Sequence, residues 1–363
     1  MSNNLSQKPL IILTAGGTGG HVFPAESLAE ELAQRGYELA LITDSRGKDN
    51  YRGKLGEIPN YSVLAGALVG KSKLFKIKSL FKTGIGVLQA ARILLKNKPI
   101  CVVGFGGYAS FPCCMAAILL GIDLVIHEQN SVMSRTNRFL SKYASFIAQS
   151  FNNVKYTPSR TPKILTGMPI RQNIATLNQR EYKSKNSQNK FQLLVIGGSQ
   201  GAKIFGDVIP AAIKMLPQEI QQQMTIFHQC RKDDVEEVNS NYVGCCADLT
   251  ISHFFENMAE LYTQTSLIIS RAGASSIAEI TATRLPSIIV PLPTAADDHQ
   301  TTNAQSISEN RAGYVLAQSD FTPEKLSSLL QNLDTVMLFL LGILLQPLSL
   351  NTPGVRQLPI RHS

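Results

Sequence analysis

One local pattern occurs twice and constrains the fold more than any other feature: a short apolar run, a glycine-rich loop and then a helical segment. In the first half, the apolar run at 10–13 precedes TAGGTGGHVFP and a helical pattern over 25–34. In the second half, FQLLVI at 191–196 precedes GGSQGAK and a helix from Ile204. Because a strand, a crossover helix and a second strand form a parallel βαβ unit, the repetition predicts two Rossmann-like, doubly wound α/β domains.

Further apolar runs, each followed by a loop, extend the pattern in both halves. YELALITD at 37–44, ICVV at 100–103 and IDLVI at 122–126 continue the first half. LIIS at 267–270 and SIIVPLP at 287–293 continue the second. Since ligands of parallel α/β sheets bind beyond the carboxyl ends of the strands, we expect a ligand-binding cleft between the two domains.

The length of the chain and one polar stretch define the predicted domain limits. At about 150 residues per domain, the 363 residues correspond to two domains. The polar stretch QREYKSKNSQNK is interpreted as part of a linker. We therefore predict an N-terminal domain over 1–165, a linker over 166–190, a C-terminal domain over 191–333 and an atypical tail over 334–363.

The positive charge of the chain is concentrated in its N-terminal half. Lys and Arg total 35 against 26 Asp and Glu, which gives a net charge of +9. No acidic residue lies between Glu57 and Asp123, whereas eight basic residues do. Such an excess is compatible with an anionic partner: nucleic acid, a membrane surface or a phosphorylated substrate. Because aromatic residues make up only 7% and no nucleic-acid motif is present, we do not expect nucleic-acid binding.

No segment is long enough to be predicted as membrane-spanning. The longest apolar run, at 336–345, has about half of the ~20 residues that a span needs. The N-terminus reaches a glycine-rich turn after four apolar residues, so no signal peptide is expected. Six cysteines without a CxxC pair fit a reducing compartment. An integral membrane protein is therefore not expected, whereas a peripheral one stays open.

The glycine-rich loops fit an anionic ligand and exclude several ligand classes. Glycines let the backbone approach a ligand, and the following helix presents free N–H groups and the positive end of its dipole. No GxxxxGK[ST] motif is present, which excludes a P-loop nucleotide hydrolase. Neither loop matches GxGxxG, which leaves a dinucleotide oxidoreductase as a minor alternative. No HExxH, DxD or paired Cys/His ligands occur, so neither a metal nor another cofactor is expected.

Polar side chains that follow the predicted strands form the candidate site. Their clustering at one sheet edge is more informative than any one of them alone. A Glu one turn into a helix, as Glu279 is after GASS, can accept hydrogen bonds from a ribose diol. The polar residues at these strand ends are His21, Tyr108, His127, Glu128, Asn130, Arg171, Ser199, Arg271, Glu279, His299, Gln300 and Asn303.

Seven motifs, taken in order, resemble those of the MurG family of bacterial N-acetylglucosaminyltransferases. They are GGTGGHVFPA, GFGGYAS, HEQN, TGMPIR, GGSQGA, RAGASSIAE and DDHQTTNA. They are spread from about residue 10 to residue 330, some nine-tenths of the chain. The resemblance implies the two-domain GT-B fold. It also implies the transfer of N-acetylglucosamine from UDP-GlcNAc to the muramyl 4-hydroxyl of lipid I, which yields lipid II in peptidoglycan synthesis. The β-linked product implies inversion in one in-line displacement.

The same resemblance assigns substrate contacts, with the acceptor lipid on the N-terminal domain and the donor mainly on the C-terminal one. The residues implied for the donor are Thr18, Gly19 and Gly20 near the diphosphate and sugar, Asn130 at the sugar, Arg171 and Ser199 at the diphosphate, Phe255 and Met258 at the uracil, Ala274, Ser275 and Ser276 at the phosphate and ribose, Glu279 at the ribose, and His299 and Gln300 at the sugar. For the catalytic base, His21 is the first candidate, and His127 and Glu128 are the alternatives.

The stretch KSKLFKIKSLFK combines lysines with large apolar residues. One apolar stripe at helical spacing is most simply interpreted as facing the core; it comprises Leu74, Ile77, Phe81, Ile85 and Leu88. Other apolar residues fall among the lysines, a mixture typical of a surface that inserts into an anionic bilayer. We therefore predict a peripheral protein at the cytoplasmic face of the bacterial inner membrane. The predicted membrane-contact residues are Lys73, Phe75, Lys76, Leu80 and Lys82.

The C-terminal segment departs from the family pattern. After about Asp334 it contains no acidic residue and three prolines, and it does not resemble the helices of mixed charge with which the family ends. Two alternative activities share the predicted architecture: another GT-B enzyme that transfers a UDP-sugar to a glycolipid or small aglycone, and a UDP-GlcNAc epimerase. A nucleic-acid-binding protein is the alternative outside the enzymes.

Overall fold

The computed structural model of the chain describes residues 8–16, 19–45, 51, 53–66, 73–179, 190–198, 201–309 and 313–331. Several predictions concern residues outside this part of the chain. They are the donor contacts of Thr18 and Ser199, the side chains of Lys73 and Leu74, most of the polar stretch in the linker, and the atypical tail.

The first sheet of the described chain has seven parallel strands. They are β1 (Leu10–Thr14), β2 (Glu38–Thr43), β3 (Asn60–Ser62), β4 (Cys101–Gly104), β5 (Asp123–Glu128), β6 (Phe146–Gln149) and β7 (Lys163–Leu165). Their spatial order is β3-β2-β1-β4-β5-β6-β7, so β1 lies next to β4 at a crossover. The glycine-rich loop that follows β1 therefore leaves the sheet where the strand order reverses, which is where ligands of such sheets bind.

The second sheet repeats this arrangement with six parallel strands in the described residues. They are β8 (Phe191–Ile196), β9 (Met224–Gln229), β10 (Asp248–Ser252), β11 (Leu267–Ser270), β12 (Ser287–Ile289) and β13 (Tyr314–Val315). Their order is β10-β9-β8-β11-β12-β13, with the crossover between β8 and β11. Two parallel sheets of this topology confirm the predicted doubly wound α/β class. The residue limits of the domains stay a prediction.

Helices cover both faces of each sheet. They are α1 (Gly19–Gln34), α2 (Gly53–Glu57), α3 (Lys73–Asn97), α4 (Phe111–Leu120), α5 (Arg135–Leu140), α6 (Gln172–Ala175), α7 (Lys203–Lys214), α8 (Gln218–Gln222), α9 (Val235–Asn241), α10 (Met258–Gln264), α11 (Ala274–Thr283), α12 (His299–Glu309) and α13 (Pro323–Gln331). Strand β8 shows why its sequence is continuously apolar: Leu193 and Val195 belong to one buried cluster, and Leu194 and Ile196 to the cluster on the opposite face.

Helix α1 begins earlier than the sequence predicts. The prediction placed its start at Ala25, after Pro24, but the helix begins at Gly19 and contains Pro24 in its interior. Proline lacks an N–H, so the carbonyl group of Gly20 loses its helical partner, a cost that a buried and well-packed helix tolerates. The result is that the end of the glycine-rich loop forms the first turn of α1, which places His21 on that turn.

The prediction that one large apolar stripe of α3 faces the core is wrong. Ile77 is 66% exposed, Phe81 is 73% exposed and Leu88 is 65% exposed. The buried face of α3 instead carries mostly small residues, among them Gly86 and Ala90, together with the large Leu94 near its C-terminal end. Any side chain at Gly86 would overlap the carbonyl oxygen of Leu64 and also crowd Pro112 of α4, so the close approach of these segments requires glycine.

The described helices include none with the length and hydropathy needed to cross a membrane.

A buried histidine in the second domain makes an acid-sensitive contact. Nδ1 of His228, on β9, lies 3.0 Å from the hydroxyl of Tyr242, and burial lowers the pKa of His228 to about 4. Unfolding returns that pKa to about 6.5, so the unfolded chain takes up a proton that the folded chain excludes. The stabilising contribution is thus complete above about pH 6.5 and is lost as the pH falls toward the folded value.

We expect this group alone to lower the free energy of unfolding by about 1 kcal/mol for each pH unit between about pH 6 and pH 5. The variant His228→Gln, which can still bond Tyr242, should lose that part of the pH dependence. Urea unfolding of both proteins across this range measures the difference. Equal slopes in the two proteins would contradict the assignment.

Candidate active site

The loops at the carboxyl ends of the two sheets meet in one cleft. Residues after β5 in the first domain hydrogen-bond Asn303 of α12 in the second. On the other side of the cleft, the guanidinium carbon of Arg171 lies 5.4 Å from the ring centroid of Phe23, on α1. The predicted position of the cleft between the domains therefore agrees with the contacts of the described residues.

His21 lies at the base of the first glycine-rich loop. Its Cδ2 atom is 3.5 Å from the point that a Cβ would occupy at either Gly16 or Gly107, so the imidazole lies against the backbone of both glycines. Gly107 also has a φ of +78°, which other residues rarely adopt. Burial lowers the pKa of His21, so the imidazole is neutral at neutral pH. Its buried Nδ1 has no hydrogen-bond partner among the described residues.

His127 lies near His21, deeper in the first domain. Its ring centroid is 5.5 Å from that of Phe105, and its Nε2 is 3.3 Å from the hydroxyl of Ser150. Burial and, to a lesser extent, the charge of His21 lower the pKa of His127 to about 4. The two imidazoles therefore share one electrostatic environment, in which protonation of one disfavours protonation of the other.

The carboxylate of Glu128 is occupied by three hydrogen bonds from the protein. It accepts from the backbone N–H of Asn130 at 3.1 Å, the backbone N–H of Ser134 at 3.0 Å and the side-chain amide of Asn137 at 2.8 Å. Burial raises the pKa of Glu128, and these hydrogen bonds act in the opposite direction. The side chain thus fixes the loop from Asn130 to Ser134, a use of its oxygens that competes with a role as catalytic base.

A network of Arg171, Glu279 and Tyr262 lies on the second domain. Arg171 Nη2 donates to Glu279 Oε1 at 2.9 Å and Arg171 Nε donates to the same oxygen at 3.2 Å. The hydroxyl of Tyr262 donates to Glu279 Oε2 at 2.9 Å. Arg171 is held here by α6, whose Ile174 is buried in the same apolar cluster as Tyr262. Arg171 and Glu279, assigned to the diphosphate and the ribose, are therefore within contact of each other.

The first turn of α11 brings Ala274, Ser275 and Ser276 to the same edge of the sheet. The buried hydroxyl of Ser275 has no hydrogen-bond partner in the part of the chain that the structure describes. Free N–H groups and a hydroxyl at a helix N-terminus can bind a phosphate. Gly19 and Gly20 form the corresponding first turn of α1 on the opposite side of the cleft.

Phe255 and Met258 lie beside this edge, at the start of α10. A cavity of about 350 Å³ lies against Phe227, Phe254 and Phe255. Met258 packs on the apolar cluster that contains Tyr262. The structure thus brings both residues assigned to the uracil close to the Glu279 network, next to an aromatic cavity.

His299 and Gln300 open helix α12 and have different environments. Gln300 Oε1 accepts from the backbone N–H of Ala272 at 3.2 Å and from that of Leu292 at 3.0 Å. His299 is half-buried, and its Nδ1 lies 2.6 Å from the carbonyl oxygen of Ala296. Gln300 therefore fixes two loops of the site with its oxygen, while its amide nitrogen remains for other contacts.

Asn303, one turn further along α12, is fully buried and reaches across the cleft. Its Oδ1 accepts from the backbone N–H of Ser131 at 2.9 Å and from the Ser131 hydroxyl at 2.7 Å. Its Nδ2 donates to Asn130 Oδ1 at 3.1 Å and to the carbonyl oxygen of Ala272 at 3.2 Å. Asn130, assigned to the sugar, is thus bonded directly to the second domain.

A second, more exposed contact joins the domains beside Asn303. Asp297 accepts from Arg138 at 2.8 Å and from Arg135 at 3.3 Å, in both cases through Nη2. Asp297 has a φ of +51°, a conformation that non-glycine residues seldom adopt. The sequence pattern indicates Asn303 only as one polar residue at a strand end and indicates no role for Tyr262. The DDHQTTNA motif contains the signal for Asn303, whereas the pattern around Tyr262 contains none.

The described residues contain no group of three or more His, Cys, Asp or Glu side chains that could hold a metal ion.

Comparison with known proteins finds similarity along most of the chain. Residues 11–149 match the glycosyltransferase family 28 N-terminal domain, and residues 192–339 match the glycosyltransferase family 28 C-terminal domain. A curated protein of Paramagnetospirillum magneticum is 45% identical over 332 residues, 91% of this chain and 89% of its own length. Its name is UDP-N-acetylglucosamine–N-acetylmuramyl-(pentapeptide) pyrophosphoryl-undecaprenol N-acetylglucosamine transferase. A protein of the same name from Rhodospirillum centenum is 41% identical over 327 residues, 90% of this chain and 86% of its own length.

Solved structures agree with this similarity. The crystal structure of MurG from Acinetobacter baumannii superposes with a TM-score of 0.72 at 32% identity, covering 93% of each chain. A glycosyltransferase of kitacinnamycin superposes with a TM-score of 0.66 at 13% identity, covering 93% of this chain and 94% of its own. At that identity the second likeness concerns the fold alone.

Proposed function

Because the chain belongs to glycosyltransferase family 28, we propose that it transfers N-acetylglucosamine from UDP-GlcNAc to lipid I, forming lipid II in peptidoglycan synthesis. The observation that carries this proposal is that relatives named for this donor and acceptor match along nine-tenths of the chain. The cleft supports it, because the residues assigned to the sugar, diphosphate and ribose meet there. Lipid I is undecaprenyl-pyrophosphoryl-MurNAc-pentapeptide, and its muramyl 4-hydroxyl is the acceptor.

In the proposed donor site, the two carboxylate oxygens of Glu279 have different partners. Tyr262 holds one oxygen of Glu279, so the other is directed toward the ribose hydroxyls once Arg171 turns away. Arg171 is then free to bind the diphosphate, a bidentate partner of the same geometry as a carboxylate. The first turn of α11 supplies N–H groups to the phosphate. The Arg171–Glu279 pair thus occupies the same groups that the nucleotide would bind.

Transfer with inversion requires a base and stabilisation of the leaving group. The muramyl 4-hydroxyl oxygen attacks the anomeric carbon, the bond from that carbon to the diphosphate oxygen breaks, and UDP leaves with the electron pair. The hydroxyl proton goes to His21, whose imidazole is neutral because burial lowers its pKa. Arg171 and the N–H groups of the glycine-rich loops balance the charge that develops on the diphosphate.

We further propose that α3 docks on an anionic membrane at the cytoplasmic face of the inner membrane. Its outer face combines the exposed Ile77, Leu80 and Phe81 with Lys76 and Lys82. Large apolar side chains that are exposed together on one helix face lose no contact with water, so folding alone does not explain them. Exposed apolar area of this kind marks an interaction surface. Lysines around it would contact lipid phosphates while the apolar side chains enter the acyl region.

Replacing Ile77 and Phe81 together by Glu should lower binding to vesicles that contain anionic phospholipid by about tenfold or more. The two carboxylates remove apolar insertion and repel the lipid headgroups. Co-sedimentation with vesicles measures this effect, and Val243→Glu is the matched control because Val243 is an exposed apolar residue of the second domain. Equal vesicle binding by the double variant and the wild type would contradict the docking surface.

The test of the proposed activity is release of UDP from UDP-GlcNAc by the full chain in detergent, with and without a lipid I analogue. The proposal predicts release only when the acceptor is present. Conversion of UDP-GlcNAc without an acceptor would instead identify an epimerase, and turnover with other glycolipids in place of lipid I would identify a transferase of different acceptor class.

A further inference from the structure

Asn303 uses its complete hydrogen-bonding capacity, and three of its four bonds cross the domain boundary. A carboxamide offers two N–H donors and an oxygen that accepts twice. All four are engaged, by Ser131 twice, by Ala272 and by Asn130. Two of these residues belong to the loop after β5, and Ala272 belongs to the loop after β11, so one buried side chain joins the loops that contact the two halves of the donor.

The orientation of this carboxamide is fixed by backbone groups. The backbone N–H of Ser131 can only donate, so the atom of Asn303 that faces it is the oxygen. The carbonyl of Ala272 can only accept, so the atom that faces it is the nitrogen. The same nitrogen lies 3.1 Å from the side chain of Asn130, which must therefore present its oxygen. No choice of amide flip remains for either residue.

This orientation determines what Asn130 offers to a ligand. Its oxygen is committed to Asn303, and its own backbone N–H is committed to Glu128. The side-chain NH₂ group, which also interacts with the Glu128 carboxylate, is the donor that Asn130 offers to an acceptor on the sugar. Because Asn303 is on the second domain, its contribution to this polarity exists only while the two domains are in contact.

We propose that Asn303 is a positioning residue for the donor sugar, which holds the carboxamide of Asn130 so that its NH₂ group faces N-acetylglucosamine when the domains close. The inference rests on the proposed function, in which Asn130 contacts the sugar. This role of Asn303 separates recognition of the sugar from recognition of the nucleotide. UDP binds mainly to the second domain, whereas the sugar contact needs Asn303 and Asn130 together.

The test compares Asn303→Ala, Asn130→Ala and the double variant in the full chain. We expect each single substitution to raise the KM for UDP-GlcNAc by about tenfold, the effect of one well-placed hydrogen bond. Because Asn303 acts through Asn130, the double variant should have about the same KM as Asn130→Ala alone. The dissociation constant of UDP, which lacks the sugar, should stay within about twofold of the wild-type value in all three.

The isosteric variant Asn303→Asp keeps the test decisive if the alanine variant fails to fold. It retains both bonds from Ser131 but can no longer donate, so Asn130 turns its NH₂ group toward the new carboxylate and its oxygen toward the sugar. Its KM should therefore rise at least as much as that of Asn303→Ala. The control is Gln305→Asp, which adds the same charge at an exposed position of α12.

Multiplicative effects of the two alanine substitutions on KM would overturn the inference, as would a rise in the UDP dissociation constant that matches the rise in KM. A wild-type protein without acceptor-dependent turnover would instead refute the proposed function. The two failures are therefore distinguishable.

Discussion

Replacing His21 by Gln should lower kcat by about 10²- to 10⁴-fold, the usual contribution of a general base. The dissociation constant of UDP should change little, because His21 is proposed to act on the acceptor hydroxyl, while the uracil and ribose contacts are proposed on the second domain. Glu31→Gln, on the solvent-exposed side of α1, is the matched control. A comparable loss of UDP affinity and kcat would contradict the role of His21 in proton transfer.

The pH dependence of turnover provides a second measurement of the same assignment. Burial lowers the pKa of His21 below its usual value of about 6.5. Activity should therefore be level near neutral pH and fall only below about pH 6.5, as the imidazole takes up a proton. The residual activity of His21→Gln should lack this acidic limb.

Substitutions of the two alternative candidates for the base, Glu128 and His127, should differ in their effects on stability and on kcat. Glu128→Gln replaces an oxygen that accepts hydrogen bonds by an NH₂ group that faces other donors. We expect it to destabilise the loop and lower the melting temperature together with activity. His127→Gln should have a smaller effect on kcat than His21→Gln, because His127 lies deeper and contacts Ser150.

Replacing Glu279 by Gln should raise the KM for UDP-GlcNAc by about ten- to a hundredfold. Hydrogen bonds to a charged group contribute about 1.5–3 kcal/mol, and about 1.4 kcal/mol corresponds to tenfold in affinity. The neutral amide loses one acceptor oxygen, and its NH₂ group faces either Tyr262 or the ribose. Because the ribose belongs to UDP itself, the dissociation constant of UDP should rise by the same factor.

This common rise distinguishes Glu279 from Asn303, whose substitution should affect the sugar nucleotide but not UDP. The matched control is Glu309→Gln, which removes one charge at an exposed position at the end of α12. Isothermal titration with UDP and initial-rate kinetics give the two numbers. An unchanged UDP affinity in Glu279→Gln would refute the ribose contact.

The topology could be predicted from sequence because the apolar runs are short, regularly spaced and interrupted by glycine-rich loops. Strand β8 coincides with the predicted 191–196, since a strand covered on both faces is apolar at every position. Periodicity alone could not predict the orientation of α3. Apart from Leu94, the buried side chains of α3 are small, and the stripe that contains Ile77, Phe81 and Leu88 is exposed.

The sequence could predict which residues belong to the candidate site, but not which of them contact one another. Motifs at strand ends indicate which residues reach the cleft, because parallel strands all end at one edge. They contain no information on partners far apart in sequence, such as Asn303 with Ser131 or Arg171 with Glu279. Those pairs depend on how the two domains and the segment before α6 are placed, which only the three-dimensional structure defines.

The linkage formed in the product tests the central claim most directly. The full chain would be incubated with UDP-GlcNAc and a lipid I analogue, and the product examined by proton NMR for the configuration at the new anomeric carbon and for the position of attachment. A single in-line displacement with His21 as base predicts N-acetylglucosamine attached through a β linkage to the muramyl 4-hydroxyl. An α-linked product, or attachment at another hydroxyl, would contradict the account.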